Sequence, residues 1–327
     1  MVSNLPLAND KFSAQIANLQ SSVDIVVRLM FMLRDADISN GDIANVVVDD
    51  KFIASLLVKK LEQMSNKEDG FIMFQPEVDD QDTTNRAKPG AKAKEPALSR
   101  DQLIEAIEIA IMRLGHGEIL KLVSGISFGK VLGAELKGYG MLKNELWVHS
   151  VIVGLLAQNI AKMVNTLELD KDENAVLLDT TIAFISGLLH DVGKIALSSE
   201  MAAKSSNFRA KLDSRSMSWM EAEKLICNVD HAAYGAQVVA KWKLNEEICK
   251  AIAGHHTPPH HDRLAAVVHL ADCAARMIGS APGIGGFAMR TDSRALQTLN
   301  ITMENIEQVL IYVASDQETI ANYCATS

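Results

Sequence analysis

Aromatic residues are scarce in this chain of 327 residues, at 5 %, and no stretch alternates polar and apolar residues over a convincing length. Without that two-residue period there is no case for half-buried strands. Cysteine is rarer still. Cys227, Cys249, Cys273 and Cys324 are the whole set, and no two stand in a CxxC spacing. That excludes a disulfide framework or a cysteine zinc site and points to small buried hydrophobes in a reducing compartment. Positive charge is in deficit, with 32 Lys and Arg against 41 Asp and Glu and a net charge of −9. Such a field repels nucleic acid and acidic lipid, so neither is expected as a partner. Apolar runs such as Leu29 to Leu33 are broken by charge and too short to span a bilayer. Met1 to Lys11 lacks the basic-then-apolar pattern of a signal peptide, and a cytoplasmic location is expected. Gly279 to Gly286 is glycine-rich, but no strand precedes it and no Gly-Lys-Ser/Thr follows, which excludes a P-loop.

What the chain has is helical periodicity. Ile16, Leu19, Val23, Val26, Val27, Met30 and Leu33 recur at three- and four-residue intervals and predict an amphipathic helix over Lys11 to Arg34. A short helix follows Ser39, and another begins at Asp49-Asp50. Ser99 with Gln102, and Ser218 with Glu221, have capping-box spacing at the start of two more. Residues 118–137 read as short helices with glycine breaks, with His116 in the Gly-His-Gly turn as a surface or packing residue. Further helices are predicted over Trp147 to Val164, Thr180 to His190, from His231 through Trp242, from Asn245 to His255-His256, over Asp262 to Ile278 and over Thr302 to Tyr323. Between Asn66 and Leu98 stand Pro76, Pro89 and Pro96 with an acidic and a basic cluster, so 67–98 reads as a surface insertion. The fold class is all-α. An N-terminal helical lobe is expected over 1–140 and a helical core over 141–327.

Five of these helices carry polar residues where apolar ones would be cheaper. His149, His190-Asp191, His231, His255-His256 and Asp272 each sit on or at the end of a helix with an apolar face. A buried polar group needs a partner, and one shared partner is a divalent metal, for which His supplies neutral nitrogen and Asp a charged oxygen able to bridge two ions. Gly193 after His190-Asp191 suits a left-handed helix end, and Lys194 would emerge beside the metal. His269, Asp272 and Arg276 share one helix face at three- and four-residue spacing.

The order of these words, Leu146-Trp147-Val148-His149-Ser150, Gly187 to Lys194, Asp230-His231 to Ala236, His255-His256-Thr257-Pro258 and His269-Leu270-Ala271-Asp272, resembles the HD superfamily of metal-dependent phosphohydrolases. In detail it looks like the HDOD family, the HD-related output domain of bacterial signalling. Asp49 to Asn66 and Met112 to Gly115 are similar to helical motifs of that family's N-terminal part. The resemblance implies an HD-type helical bundle with an added N-terminal lobe. It makes His149, His190, Asp191 and Asp272 ligands of a first metal. Asp191, bridging, joins His231, His255 and His256 in a second site. Asp191 and Lys194 become the catalytic pair, with Lys194 contacting a substrate phosphate. One or two transition ions, iron or manganese, would supply a bridging hydroxide between centres about 3.5–4 Å apart. His269 is either a residue that orients a ligand from behind or a packing residue. The implied function is hydrolysis of a nucleotide or other phosphoester in bacterial signalling. The alternative is a catalytically silent output module acting through a signalling protein. After His255-His256 the chain reads Thr257-Pro258-Pro259, not Gly-Tyr-Pro, so the substrate of the related cyclic di-GMP phosphodiesterases is not carried over.

Overall fold

The computed structural model describes residues 20–33, 37–68, 98–204, 211–212, 217–280, 282–283, 291–316 and 320–321. The expectations for 11–19, for most of the 67–98 insertion, for parts of the glycine-rich loop and for Cys324 lie outside them. Among the described residues the chain is helical, and no strand forms beyond one isolated bridge between Leu136 and Met141. The contacts divide it into two units, residues 28–119 and residues 1–27 with 120–327.

In the first unit α2 (Asn40–Val48), α3 (Lys51–Glu68) and α4 (Arg100–Leu114) pack against one another; α1 (Gln20–Met32) precedes them. Ser39 caps α2 by accepting the Asp42 N–H, and Ser99 with Gln102 closes a complete capping box on α4. Arg28 and Arg100 both reach Asp49, holding its carboxyl below the usual range. His116 places Nε2 3.0 Å from Asn40 Oδ1. It is no turn residue, because α5 (His116–Leu132) is one continuous helix where glycine breaks were expected. Gly125 and Gly129 are buried inside it, so tertiary packing overrides their intrinsic cost.

The second unit is built on α6 (Glu145–Leu169), whose inward stripe includes Trp147, Val151, Leu155, Leu156 and Ile160. Against it lie α7 (Thr180–Leu189), α12 (Arg263–Met277) and α14 (Met303–Ser315). Gly187 permits the α6–α7 approach, since a Cβ there would come 2.8 Å from the Val153 carbonyl oxygen. The remaining helices are α8 (Gly193–Lys204), α9 (Trp219–Cys227), α10 (His231–Lys241), α11 (Glu246–Gly254) and α13 (Ser293–Leu299). α10 packs on α11 and α8, and α11 on α12. Asp179, Asp230, Asp262 and Asp292 accept backbone N–H groups at the starts of α7, α10, α12 and α13. Asn245 does not repeat this: it stands at the start of α11 without a side-chain capping bond. α6 and the stretch Thr180–Lys204 are long and apolar enough to cross a membrane by composition, yet 78 % of each window is buried in the fold, as in core helices.

Gly193 departs from its predicted role. It ends no helix but begins α8, and its φ is not positive. A Cβ there would lie 1.9 Å from the His231 carbonyl oxygen, so glycine is needed for the close passage of α8 over the start of α10. Cys273 is buried as expected, whereas Cys227 and Cys249 are half-buried.

Candidate metal centre

α6 carries His149 one turn from its start, and α7 ends on His190 with Asp191 in the turn beyond. His231 is the first residue of α10, His255 caps the C-terminus of α11, and Asp272 lies mid-way along α12. Helix ends are where a side chain can leave an apolar stripe, and five of the seven predicted positions use one. The structure brings all seven together. His149 Nε2 is 3.1 Å from Asp272 Oδ1, and His190 Nε2 is 3.4 Å from Asp191 Oδ2 and 3.8 Å from Asp272 Oδ1. On the other oxygen of Asp191, Oδ1, His231 Nε2 stands at 3.1 Å and His255 Nε2 at 3.9 Å. His256 Nε2 meets His231 Nε2 at 2.7 Å. Asp191 thus presents one oxygen to each half of the cluster.

Second contacts set the ring tautomers. His190 Nδ1–H donates to the Gly187 carbonyl and His255 Nδ1–H to the Ile252 carbonyl, both at 2.7 Å. A carbonyl only accepts, so the proton is on Nδ1, and in the neutral ring Nε2 is a bare lone pair facing the centre. His149 Nδ1 lies 3.3 Å from Ser280 Oγ. Burial pushes His149, His255 and His256 below the ordinary histidine range, the last two well below it, which keeps these rings neutral. Burial alone would raise Asp191 and Asp272, but Lys194 and Arg276 beside them hold both well below the usual carboxylate range.

Among the described residues nine buried side-chain polar atoms lack a hydrogen-bond partner, and four of them are here: His149 Nε2, His190 Nε2, His255 Nε2 and Asp191 Oδ1. Each such atom is costly in a protein interior. Their concentration at one point, as three neutral nitrogens and one anionic oxygen, is the donor set of a divalent transition ion. The residues fit the metal. Ligand atoms within 4.8 Å of one another form three groups: His231, His255 and His256; His149, His190 and Asp272; and, shared between them, His190, Asp191 and His255.

Lys194 Nζ, expected to face substrate, donates to Asp191 Oδ2 at 2.5 Å with its side chain 8 % exposed. His269 resolves as a brace. Its Nδ1–H donates to the His255 carbonyl at 2.8 Å and its Nε2 accepts the Asp292 N–H at 2.9 Å, so both nitrogens serve the backbone.

Sequence reasoning missed Glu223. Its carboxylate is fully buried and accepts the His231 backbone N–H at 2.7 Å, His231 Nδ1–H at 2.7 Å and the Tyr139 hydroxyl at 2.8 Å. Burial would lower His231, yet Glu223 and Asp191 raise it to about 9. The signal was present: Trp219, Ala222, Glu223 and Ile226 share the inward stripe of α9, and a glutamate on an apolar stripe asks for a buried partner.

An all-helical fold around a closed nest of histidines and aspartates defines an HD-like helical domain. A family model, the HDOD domain, matches residues 93–258, and the chain belongs to that family. The match takes in every cluster residue except Asp272. An uncharacterised Treponema pallidum protein is 26 % identical over 157 residues, covering 47 % of this chain; the chain spans only 27 % of that relative's length. Two solved structures share the fold. One is an HDOD domain protein of unknown function from Geobacter sulfurreducens, 20 % identical with a TM-score of 0.56, covering 93 % of this chain and 90 % of its own. The other is a candidate phosphohydrolase from Shewanella amazonensis, 16 % identical with a TM-score of 0.58, covering 95 % and 98 %.

Proposed function

We propose that this HDOD protein is a metal-dependent phosphohydrolase acting on a nucleotide or other phosphoester in bacterial signalling, in the cytoplasm. The observation that carries the reading is the meeting of four unpartnered buried donor atoms, His149 Nε2, His190 Nε2, His255 Nε2 and Asp191 Oδ1, from three separate stretches of chain. One or two divalent ions held by His149, His190, Asp191, His231, His255, His256 and Asp272 would supply Lewis acidity and a nucleophile at neutral pH. The chain's own residues do the rest. Asp191 offers an oxygen to each side of the centre, and burial of the neighbouring apolar helices keeps bulk water out. Lys194 is a nearby cation with residual exposure, suited to neutralising a phosphate oxygen. A cavity of about 320 Å³ lined by Lys143, Glu145, Val148 and Ser280 lies on the outer side of His149, whose Nδ1 is 3.3 Å from Ser280 Oγ.

Closure of the site favours a second reading. His149, His190, Asp191, His255 and Asp272 are almost entirely buried, which suits a metal kept for structure in a module that signals through a protein partner. The discriminating experiment loads the purified protein with Mn²⁺ or Fe²⁺ and offers phosphomonoesters, nucleotides and cyclic nucleotides. Turnover lost in Asp191→Asn and reduced in Lys194→Met supports the hydrolase. A fully loaded protein with no turnover on any class selects the silent module.

A further inference from the structure

Four rings of the cluster rest the nitrogen that faces away from it on a neighbour, and one of those neighbours is an acid. His190 and His255 lean on backbone carbonyls of their own helices, and His149 on the Ser280 hydroxyl. Of the four, His231 alone leans on a carboxylate: Glu223 Oε2 lies 2.7 Å from both its Nδ1 and its backbone nitrogen. A neutral acceptor could fill that place more cheaply, because Glu223 is fully buried and no lysine or arginine pairs with it among the described residues. What it has instead is Tyr139, whose hydroxyl donates to Oε1 at 2.8 Å. Tyr139 is itself held from several sides. It closes the short 3₁₀ turn Lys137–Tyr139, and its ring centre lies 5.0 Å from that of Trp219, the first residue of α9. Before it, Gly138 donates its N–H to Ser198 Oγ in α8, and a Cβ there would lie 2.2 Å from the Ser198 carbonyl oxygen. Gly283 passes so close that its own Cβ would lie 2.5 Å from the Tyr139 carbonyl oxygen. Packed backbone, rather than a free side chain, delivers the hydroxyl to Glu223.

We propose that Tyr139 and Glu223 form a buried relay that positions His231 for an ion: the Tyr139 hydroxyl fixes the Glu223 carboxylate, and the carboxylate grips the backbone N–H and Nδ1–H of His231. The Nδ1 proton stays with Glu223, and Nε2, 3.1 Å from Asp191 Oδ1, is the nitrogen left for the cluster. A carboxylate behind a histidine fixes its tautomer and orientation and makes the far nitrogen a stronger donor. Neither Tyr139 nor Glu223 touches the ion, so both are positioning residues, Tyr139 acting through Glu223 and Glu223 through His231. The inference rests on the divalent-metal reading above and adds two residues that stand outside every one of the sequence words marking the cluster.

The test uses the chelator-stripped full chain and takes one reading without metal and one with it. In protein labelled with nitrogen-15 histidine, an Nδ1–H held by a buried carboxylate gives a far-downfield proton resonance, assigned to His231 by its absence in His231→Gln. Tyr139→Phe, which keeps the ring on Trp219, shifts that resonance, and Glu223→Gln abolishes it. Equilibrium dialysis with Co²⁺ supplies the second reading. Glu223→Gln weakens binding by about 10- to 100-fold, the effect expected of a partner behind a ligand. Tyr139→Phe weakens it on the order of fivefold, the worth of one hydrogen bond. Because Tyr139 acts only through Glu223, the double variant binds as weakly as Glu223→Gln alone, whereas two independent structural losses multiply. The inference is overturned by a Tyr139→Phe protein with the resonance and affinity of wild type, by losses that multiply, or by a Glu223→Gln protein that binds Co²⁺ more tightly. A folded wild type that binds no Co²⁺ overturns the metal reading alone, since the resonance and its response to Tyr139→Phe decide the relay without metal.

Discussion

Protons and thiols around the cluster respond to its charges one residue at a time. Burial, then the Asp272 carboxylate, pushes the Cys273 thiol up to about 12, and burial with Glu223 pushes Cys227 up to about 11. Since the thiolate is the reactive form, neither cysteine reacts quickly with a disulfide reagent near about pH 8 in the native protein, and both react once it is unfolded. Rapid native labelling of Cys273, mapped by mass spectrometry in a Cys324→Ser background, contradicts that. Asp292 gives a pH dependence with a definite sign. Its bond to Arg294, whose N–H and guanidinium it accepts, lowers it from 3.8 to about 2. A depressed carboxyl contributes stability that is present above its unfolded value and lost as pH falls through the folded one. The melting temperature of wild type therefore exceeds that of Asp292→Asn at neutral pH, and the gap closes between about pH 4 and pH 2. A gap that widens on acidification refutes the assignment. At this scale the sequence told much. Histidines and aspartates on apolar helix faces announce themselves because burial is expensive, and all seven converge. Glu223 went unseen because periodicity was read for apolar residues alone, and Lys194 turned inward because the nearest counter-charge is Asp191 rather than solvent.

Helices were legible wherever capping chemistry is local. Ser99 with Gln102 and Ser218 with Glu221 form the reciprocal bonds their spacing predicts, because both partners lie within one turn. Glycine was not, since its purpose depends on what packs against it. Gly125 and Gly129 sit within α5, and Gly193 serves close approach rather than a left-handed turn. The consequence can be measured. Gly193→Ala forces a methyl against the His231 carbonyl and is expected to cost about 1–3 kcal/mol in chemical denaturation, by overpacking. Because the backbone it displaces carries His231, the same variant retains less metal although Gly193 has no side chain to ligate it. A variant as stable as wild type means α8 and α10 are not in the contact described.

For the molecule as a whole, a ligand that binds only the folded state stabilises it by mass action. Mn²⁺ at about a hundred times its dissociation constant is expected to add about 2.7 kcal/mol, and a chelator to remove it. The rise in melting temperature should vanish in a variant lacking His190, Asp191 and His255, the group shared by both halves. The all-helical class followed from the missing two-residue period. The division at residues 28–119 could not be read in the same way, because contact between distant helices leaves no local mark in sequence. The most direct measurement is an anomalous difference map from crystals of the Mn²⁺-loaded protein. The account predicts a peak enclosed by His149, His190, Asp191, His231, His255, His256 and Asp272. Fully loaded crystals with no peak among these residues, or with the metal elsewhere on the chain, would contradict it.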